Sequence, residues 1–428
     1  MKKTYGYAAI VGIPFISFVL WMIHTPLDLR FSSLESSLYS LGQISGIIGL
    51  SLFSTTLFLN TRLRILEHTF GGLNKVFPLH HTTGKIAFGF IIFHPLFLFL
   101  SSLIYSYQSA LVFIFGITNI PLLAGKSALI IFLFLIIMAL WIKLPYHLWR
   151  FWHQTMGGVF VLISYHAFNL GADMGGGQPL QYYLYAIMVL GLGSFLYKTV
   201  FQNILIKKYP YRIKSIKKIS SDILQIVMEP VSQKLIYSPG MFVFMKLATQ
   251  KFYEEQHPFS FVSSPDEKNI KFGIKIVGDF TATLFSQKPG TLAYLEGPYG
   301  VFTQDRTKRN QIWIAGGIGI TPFLAMMKQI KTKKRITLFY SVSQKNEAAF
   351  LDEIKKAQKT NLFSLVLWET KRKGRLKAVN IKRIVPGFKT YDIFVCGPVS
   401  MIKDLKKQLL LLGVAKDSIK SEEFQLLP

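Results

Sequence analysis

The sequence predicts a helical membrane bundle of six spans, followed by a soluble module made of an antiparallel β-barrel and an α/β domain. Charge is the first observation behind this fold class: residues 1–205 hold 11 Lys or Arg and 4 Asp or Glu, whereas residues 206–428 hold 38 and 18. Second, apolar runs long enough to cross a bilayer occur only in the first part. Third, short alternating strands and then strand–helix alternations fill the second part. We therefore expect domains at residues 1–205, 206–305 and 306–428.

The first domain contains six apolar runs, at residues 5–23, 40–60, 79–104, 111–142, 151–170 and 180–200. In the fourth run we expect a loop or re-entrant portion around Asn119–Pro121 before its helix. The N-terminus resembles a signal peptide, but no small-residue cleavage site follows it, so we interpret it as the first span. Lys and Arg concentrate at the N-terminus, in alternate connections and beyond Lys198, which predicts cytoplasmic termini and parallel third and fifth spans.

Five histidines lie inside these runs, and four of them form two matched pairs. His80 and His94 belong to the third run, and His153 and His166 belong to the fifth. At 1.5 Å per helical residue, each pair covers roughly 20 Å of a hydrocarbon core about 30 Å thick. An imidazole is costly in hydrocarbon unless it has a function or a partner. Any one of them could be a hydrogen-bonded packing residue, but two matched pairs on parallel helices predict two bis-histidine b-type haems, stacked across the membrane.

Two details of this haem site stay open. His81 adjoins His80, so that either could be the inner ligand of the third span. A spacing of fourteen residues returns to within about 40° on an ideal helix, whereas thirteen ends about 140° away. The 153–166 pair therefore requires a local distortion, for which Gly157 and Gly158 are candidates, or haems at different azimuths.

Charge and cysteine content limit the function further. A net charge of +27 is compatible with nucleic acid, with anionic lipid or with a phosphorylated cofactor. We exclude nucleic acid as a partner because the sequence has no DNA- or RNA-binding signature. The single cysteine, Cys396, excludes internal disulfides, c-type haem attachment and cysteine-ligated iron–sulfur clusters. Any redox metal must therefore be held by histidine.

The soluble part contains a glycine-rich loop between a strand and a helix. From Tyr209 onwards the segments YRIKSIKKI, DILQIVMEP, MFVFMKLA, IKFGIKIVG and TLAYLEGP alternate with Gly and Pro turns, which predicts the barrel. From Gln311 onwards apolar strands alternate with helices. There the loop AGGIGITP, Ala315 to Pro322, joins a strand directly to a helix. Glycines at such a loop allow close backbone approach to a pyrophosphate, and the helix N-terminus attracts its charge.

Five ordered motifs carry a resemblance to known proteins. They are HPFSFVSSP (257–265), IKIVGDFTATL (274–284), GPYG (297–300), AGGIGITP (315–322) and VCGP (395–398). Together they closely resemble the flavin- and nicotinamide-binding module of the ferredoxin-NADP reductase superfamily. With six spans and paired histidines before them, the chain resembles the NADPH oxidase/ferric reductase family, and most of all its small prokaryotic oxidases. This implies a ferric reductase-like membrane domain, an FAD-binding β-barrel and an NAD(P)H-binding α/β domain.

The resemblance implies a role for each matching residue. His257, Pro258, Phe259 and Ser260 correspond to the segment along the isoalloxazine of FAD, and Gly278, Asp279, Phe280 and Thr281 to the segment at its pyrophosphate. Gly316, Gly317, Gly319, Thr321 and Pro322 correspond to the nicotinamide-nucleotide loop, and Cys396, Gly397 and Pro398 to the segment beneath the nicotinamide. Phe424 resembles the C-terminal aromatic that stacks on the flavin, which makes Phe424 and Cys396 the residues closest to the reaction. In the membrane part, Gly84 four residues after His80 favours His80 over His81.

Nicotinamide specificity depends on the end of the second strand of the α/β domain. The family often places Arg there to meet the 2′-phosphate, but this chain has Ser343. No Asp or Glu ends that strand to hold a free 2′-hydroxyl, as it would in an NAD binder. Lys345 and Arg375 remain as phosphate partners. We therefore expect NADPH as the donor, with NADH tolerated.

The combined expectation is a membrane oxidoreductase that converts a two-electron donor into single electrons. Electrons would pass from NADPH to FAD, to an inner haem at His80 and His153, and to an outer haem at His94 and His166. The expected acceptor is dioxygen, which would yield superoxide. The alternatives are a ferric or cupric chelate and a periplasmic partner protein. We expect the plasma (inner) membrane of a prokaryote and no obligatory protein partner.

Overall fold

The computed structural model describes residues 2–117, 119–170, 177–248, 256–304, 309–330, 334–360 and 363–423. The chain forms two compact units: one comprises Met1–Gly71 with Lys75–Leu205, and the other Gly72–Asn74 with Ile206–Pro428. Every described element of the first unit is helical, and the second unit contains the two sheets. The structure therefore confirms the predicted apolar, helical first half and the predicted second half with an antiparallel and a parallel sheet.

The first unit is built from helices of very different length. Their bounds are α1 Lys2–His24, α2 Leu27–Arg30, α3 Leu34–Leu59, α4 Arg64–Phe70, α5 Leu73–Tyr105, α6 Tyr107–Phe115, α7 Ile120–Leu140, α8 Tyr146–Gln154, α9 Met156–Asn169, α10 Gly177–Leu196, a π-helical turn Tyr197–Phe201 and α11 Gln202–Leu205. Among the described residues, five helices are long and apolar enough to cross a membrane: the greater part of α1, then α3, α5, α7, and α10 with the π-helical turn.

The fifth predicted span differs from the other five because neither of the two helices that form it is long enough to cross a membrane. Helix α8 ends and α9 begins around Thr155, whose hydroxyl donates to the carbonyl of Trp152 at 2.7 Å. Helix α9 has 14 residues, or about 21 Å, which is shorter than a bilayer core. A bundle of six continuous transmembrane helices is therefore not confirmed. The distortion expected at Gly157 and Gly158 lies at Thr155 instead.

The fourth predicted span begins with the irregular portion that its sequence indicated. Helix α6 ends at Phe115, and α7 begins after Asn119. The Asn119 side chain accepts a hydrogen bond from the Leu122 N–H at 2.8 Å, which caps the new helix. An irregular portion before the helix of the fourth run is thus confirmed, although Pro121 already belongs to α7.

Small and hydroxylated residues bring the long helices together. A Cβ at Gly157 would lie 2.0 Å from the Phe195 ring, and one at Gly191 would lie 2.4 Å from the Phe160 ring. The Ser54 hydroxyl donates to the Ile187 carbonyl at 2.7 Å, which links α3 to α10. Close approach over small residues is the usual way in which membrane helices pack, because lipid supplies little hydrophobic drive between them.

The barrel of the second unit is a curled antiparallel sheet. Its elements are β1 Lys208–Lys218, β2 Ile223–Pro230, β3 Phe242–Leu247, β4 His257–Ser260, β5 Ile270–Lys275, α12 Asp279–Phe285 and β6 Leu292–Tyr299. The strand order is β4-β3-β6-β1-β2-β5, and a bridge between Phe261 and Phe272 links the two edges. Buried alternate residues such as Ile213, Ile226 and Leu295 fill the interior.

The second sheet is fully parallel. Its elements are β7 Gln311–Gly316, a 3₁₀ turn Gly317–Ile320, α13 Thr321–Met327, β8 Ile336–Val342, a 3₁₀ turn Lys345–Glu347, α14 Leu351–Thr360, β9 Phe363–Glu369, α15 Thr370–Lys373, α16 Ala378–Ile384, a 3₁₀ turn Phe388–Thr390, β10 Asp392–Gly397, α17 Val399–Leu411, a 3₁₀ turn Lys416–Ser418 and β11 Ile419–Glu423. The order β11-β10-β7-β8-β9 reverses direction between β7 and β10. In such sheets ligands bind beyond the carboxyl ends of the strands at this switch point.

The barrel and the parallel sheet share a core. Ile223, Val262 and Phe302 from the barrel side pack into the same buried cluster as Phe323 and Phe350. Their common packing explains why both belong to one compact unit. The division at residues 305/306 stays a prediction, since residues 305–308 lie outside the described part of the chain.

Candidate functional site

The structure brings the four predicted histidines together in two pairs. The ring centres of His80 and His153 lie 6.0 Å apart, with an interplanar angle of 81°. Those of His94 and His166 lie 6.4 Å apart, with an angle of 72°. A metal ion held from opposite sides by two imidazole nitrogens at about 2 Å places the ring centres roughly 6 Å apart. Both pairs therefore have the separation that one shared metal requires.

Three of the four imidazoles are oriented by a backbone carbonyl of another helix. The Nδ1–H of His80 donates to Thr56 O at 2.9 Å, that of His94 donates to Gly42 O at 2.8 Å, and that of His166 donates to Pro121 O at 2.9 Å. Such a bond fixes the tautomer and leaves Nε2 free, which is the usual arrangement of a metal-binding histidine. The carbonyls of Thr56, Gly42 and Pro121 could not be found from sequence, because helix rotation decides which carbonyl faces the ring.

The chemistry of the donor set fits haem better than a bare ion. Among the described residues, no group of three or more His, Cys, Asp or Glu is placed to hold a metal. A structural zinc site needs about four protein ligands. Two imidazoles on opposite sides of one metal leave the remaining positions to a macrocycle, which is bis-histidine haem ligation. The residues present thus fit two haems.

The histidine pairs lie at opposite ends of the helical unit. His153 lies four residues before Gly157, which packs against Phe195 near the end of α10. From there the chain continues through Tyr197–Phe201 and α11 into the second unit. His166 lies nine residues after Gly157 in α9, or about 14 Å along that helix, and is held at the beginning of α7 by the Pro121 carbonyl. His81 is exposed, and the ring contact with His153 is made by His80, which favours His80 in this pair.

The flavin segment lies on an edge strand of the barrel. His257, Pro258, Phe259 and Ser260 form β4, which pairs with β3. The His257 ring stacks on Phe280 with centres 4.1 Å apart, so the two segments predicted to contact FAD are adjacent. Ser260 is buried.

The pyrophosphate segment is a helix N-terminus with open space before it. Gly278 precedes α12, and a Cβ there would meet no described atom within 4 Å. The Thr281 hydroxyl is already engaged: it accepts from the Gly278 N–H at 3.1 Å and donates to the Gly278 carbonyl at 2.9 Å. Thr281 thus holds the turn in shape, while Asp279 begins the helix. The open face at Gly278 is what a phosphate would need.

The nicotinamide loop and the VCGP segment meet at the switch point of the parallel sheet. A Cβ at Gly319 would lie 2.3 Å from the Cys396 carbonyl, and one at Gly316 would lie 2.9 Å from the Pro398 ring. Gly317 has φ +53° and faces space free of described atoms within 4 Å. Thr321 and Pro322 begin α13 and are buried. Gly397 (φ +157°) approaches Gly316 so closely that a Cβ there would lie 3.1 Å from the Gly316 Cα, which glycine alone allows.

Cys396 lies beneath this loop and is fully buried. Burial, with the charge of Glu422 adding to it, raises the pKa of the Cys396 thiol well above its ordinary value. The thiol is therefore neutral at pH 7 and acts as a packing group there. The other residue expected near the reaction, Phe424, lies outside the described residues.

Beside the expected Lys345, helix α15 also brings basic residues to the end of β8. Arg375 is 83% exposed and pairs with Asp404 at 3.9 Å. The Lys371 N–H donates to the Ser343 carbonyl at 3.2 Å, which sets the basic helix α15 beside the end of β8. The run TKRK was the sequence signal for this basic helix, but we considered the nearby Arg375 instead. Lys345 lies in the 3₁₀ turn after Ser343.

Three families match consecutive parts of the chain. Residues 45–164 match a family described as "Ferric reductase like transmembrane component". Residues 208–303 match one described as "FAD-binding domain", and residues 313–407 match "Oxidoreductase NAD-binding domain". The first match contains three of the four paired histidines and ends just before His166, and the other two contain the described flavin and nicotinamide segments.

Individual relatives resemble parts of the chain. Flavohemoprotein A of Dictyostelium discoideum is 26% identical over 229 residues, which cover 48% of this chain and 57% of that protein. A heavy chain of a superoxide-generating NADPH oxidase of the same organism is 24% identical over 240 residues, covering 50% and 33%. The chain thus spans between about a third and somewhat over half of these relatives. The crystal structure of a flavohemoglobin from Malassezia yamatoensis superposes with a TM-score of 0.52 at 16% identity, covering 91% of this chain and 97% of that one, which shows similarity of fold.

Proposed function

Because the chain belongs to the NADPH oxidase/ferric reductase family, we propose that it is a membrane oxidoreductase that carries electrons from NADPH to an acceptor across the bilayer. The cofactors of this proposal are FAD and two b-type haems. The observation that carries it is the pair of ring separations, 6.0 Å for His80–His153 and 6.4 Å for His94–His166. No described cluster of protein ligands competes with this assignment.

The residues act by binding and alignment. When bound, FAD accepts two electrons as hydride and haem iron carries one at a time, which converts a two-electron donor into single electrons. The switch point between β7 and β10 holds the nicotinamide nucleotide. The glycines there allow the nucleotide to approach the backbone closely. The histidines orient two redox centres in series. No side chain needs to act as acid, base or nucleophile, and the neutral, buried Cys396 agrees with this.

The order of the two centres follows the course of the chain. The His80–His153 pair lies at the end of the bundle from which α10 leads into the flavin- and nicotinamide-binding unit. We therefore assign His80 and His153 to the centre that receives electrons, and His94 and His166 to the centre that delivers them. Basic residues concentrate at the receiving end, which supports a cytoplasmic position for it and for both termini.

Substitution of the histidines tests the ligand assignment. We expect His94→Leu or His166→Leu to lose one haem per chain while NADPH still reduces the flavin at the wild-type rate. His153→Leu should lose the other haem and stop electron flow across the membrane. His81→Leu is the matched control and should retain both haems. Haem content from the reduced-minus-oxidised spectrum is the measurement, and two haems in all four variants would refute the assignment.

The donor is NADPH in this proposal, with NADH tolerated. The basic helix α15, held beside Ser343 by the Lys371 N–H, supplies charge where a 2′-phosphate would lie. Arg375 is less suited because it already pairs with Asp404. A comparison of kcat/KM for the two nucleotides decides the point, and a strong preference for NADH would contradict it.

The acceptor in this proposal is dioxygen, which leaves as superoxide. The similarity to a superoxide-generating NADPH oxidase supports it. The match of residues 45–164 to a ferric reductase component favours a second candidate, reduction of a ferric or cupric chelate. Reduction of cytochrome c by the purified protein should fall at least tenfold when superoxide dismutase is added. Dismutase-insensitive signal with rapid reduction of ferric chelate would favour the second candidate, and neither activity would point to a partner protein as acceptor.

A further inference from the structure

One of the four paired imidazoles is held differently from the others. His80, His94 and His166 each donate Nδ1–H to a carbonyl of a neighbouring helix at 2.8–2.9 Å. The Nδ1 atom of His153 is buried and has no hydrogen-bond partner among the residues that the structure describes. A buried polar atom without a partner is unusual and calls for an explanation in the local structure.

An aromatic side chain lies against the face of this imidazole. The indole ring of Trp149 stacks on the His153 imidazole, with centres 4.8 Å apart and planes 9° from parallel. The two residues are four apart in α8, so they lie on the same helix face. The indole is itself anchored, because its Nε1–H donates to the Ala139 carbonyl near the end of α7 at 3.3 Å.

We propose that Trp149 is the positioning residue of His153, and that its stacked indole fixes the imidazole plane in place of a carbonyl hydrogen bond. This inference rests on the proposed function, since it concerns His153 as a haem ligand. It explains how His153 keeps its orientation next to the break at Thr155, where α8 lacks support from a continuous helix.

The same geometry has an electronic consequence. A hydrogen bond from Nδ1–H raises the basicity of a ligating imidazole, and hydrogen bonding around the ligands tunes the reduction potential of the iron. His153 lacks this bond, so it is a weaker donor than His94 and His166, which both have it. The missing bond therefore raises the midpoint potential of the His80–His153 haem above the value it would have if His153 donated Nδ1–H to a carbonyl.

Replacement of the indole tests the inference on the full-length protein in detergent. Trp149→Leu removes the stacking ring, Trp149→Phe keeps a ring but removes the Nε1–H, and Trp152→Leu is the matched control. Trp152 packs against Phe134 with ring centres 5.7 Å apart, so its loss changes a similar apolar contact. The readouts are haem content, midpoint potentials, and the low-temperature electron paramagnetic resonance of the ferric haems, whose g values depend on the angle between the axial imidazole planes.

We expect Trp149→Leu to lose or shift the signal of one haem, the one that His153→Leu removes, and to leave the other haem and the flavin unchanged. Trp149→Phe should restore the wild-type g values, and Trp152→Leu should keep both haems. If the Trp149→Leu protein does not fold, the same measurements are made on Trp149→Met, for which we expect the same result.

Two outcomes separate failure of the inference from failure of the proposed function. The positioning role alone would be overturned if wild-type protein contains two haems and Trp149→Leu or Trp149→Met has the same haem content, midpoint potentials and g values as wild type. Wild-type protein without b-type haem would overturn both.

Discussion

At the scale of single residues, two glycines make room for the His94–His166 pair. A Cβ at Gly46 would lie 2.6 Å from the His94 Nδ1, and one at Gly125 would lie 2.5 Å from the His166 Nδ1. These are the atoms that donate to the Gly42 and Pro121 carbonyls. A methyl group at either position must displace the ring or its hydrogen bond, so each glycine is required by the imidazole beside it.

We therefore expect Gly46→Ala and Gly125→Ala each to lose about half of the haem of the protein. Gly193→Ala is the matched control, because a Cβ there would meet no described atom within 4 Å and alanine favours a helix by about 1 kcal/mol over glycine. Haem per chain, from the absorbance of the reduced protein, is the measurement. Full haem content in both variants would show that the rings do not need these glycines.

Residue-level prediction from sequence succeeded where spacing carried the information. The pairing of His80 with His153 and of His94 with His166 could be anticipated, because similar spacings of fourteen and thirteen residues place the histidines at two matching depths, about 20 Å apart, within one bilayer core. The partners Thr56, Gly42 and Pro121 could not, since they depend on how neighbouring helices are rotated. Trp149 could have been noticed, because it lies four residues before His153.

At the scale of elements, an ion-pair cluster joins α13 to the barrel. The Lys328 ammonium, directly after α13, lies 3.1 Å from the Val262 carbonyl, 3.1 Å from Glu267 and 2.8 Å from Glu353. Lys271 adds a further contact to Glu267 at 2.7 Å. Since α13 begins at the nicotinamide loop and Val262 follows the flavin segment, this cluster connects the two cofactor segments within one unit.

The cluster predicts a pH dependence of stability. Burial alone would raise the pKa of Glu267, but hydrogen bonds from Lys271 and the Ser264 N–H, with the charge of Lys328, lower it below its ordinary value. A carboxyl with a lowered folded pKa stabilises the fold above its unfolded pKa of about 4.3, and this stabilisation is lost as pH falls through the folded pKa.

Glu267→Gln should therefore be less stable than wild type by roughly 1 kcal/mol at pH 7, and the difference should shrink below about pH 4. Thermal unfolding followed by tryptophan fluorescence at pH 7, 5, 4 and 3 measures it. Glu229→Gln is the control, because Glu229 pairs with Lys214 only at 3.9 Å in an exposed position and should have little effect at any pH. Parallel curves for Glu267→Gln and wild type across this range would contradict the prediction.

Most elements were predictable because their hydrophobic period is clear. The strands β7, β8, β9 and β10 follow continuous apolar runs, and the long helices follow apolar segments of membrane length. The division of the fifth run at Thr155 was not predicted there, because Gly157 and Gly158 were the stronger helix-breaking signal. Gly157 instead allows Phe195 to approach. Strand β11, Ile419–Glu423, is charged and short, so it gave no strand signal.

At the scale of the whole molecule, the uneven charge of the sequence corresponds to the division of the chain into two compact units. The helical unit holds the four histidines, and the second unit holds the flavin and nicotinamide segments. Composition and motif order were enough to anticipate this arrangement. In the proposed function, one electron path leads from a nicotinamide through a flavin to two metal centres in series.

The most direct test is a reduced-minus-oxidised spectrum of the purified chain with FAD and NADPH, first without oxygen and then in air. We predict that both b-type haems become reduced without oxygen and are reoxidised when air is admitted. If NADPH reduces the flavin but no b-type Soret shift develops, this contradicts the central claim that the paired histidines hold haems that carry electrons.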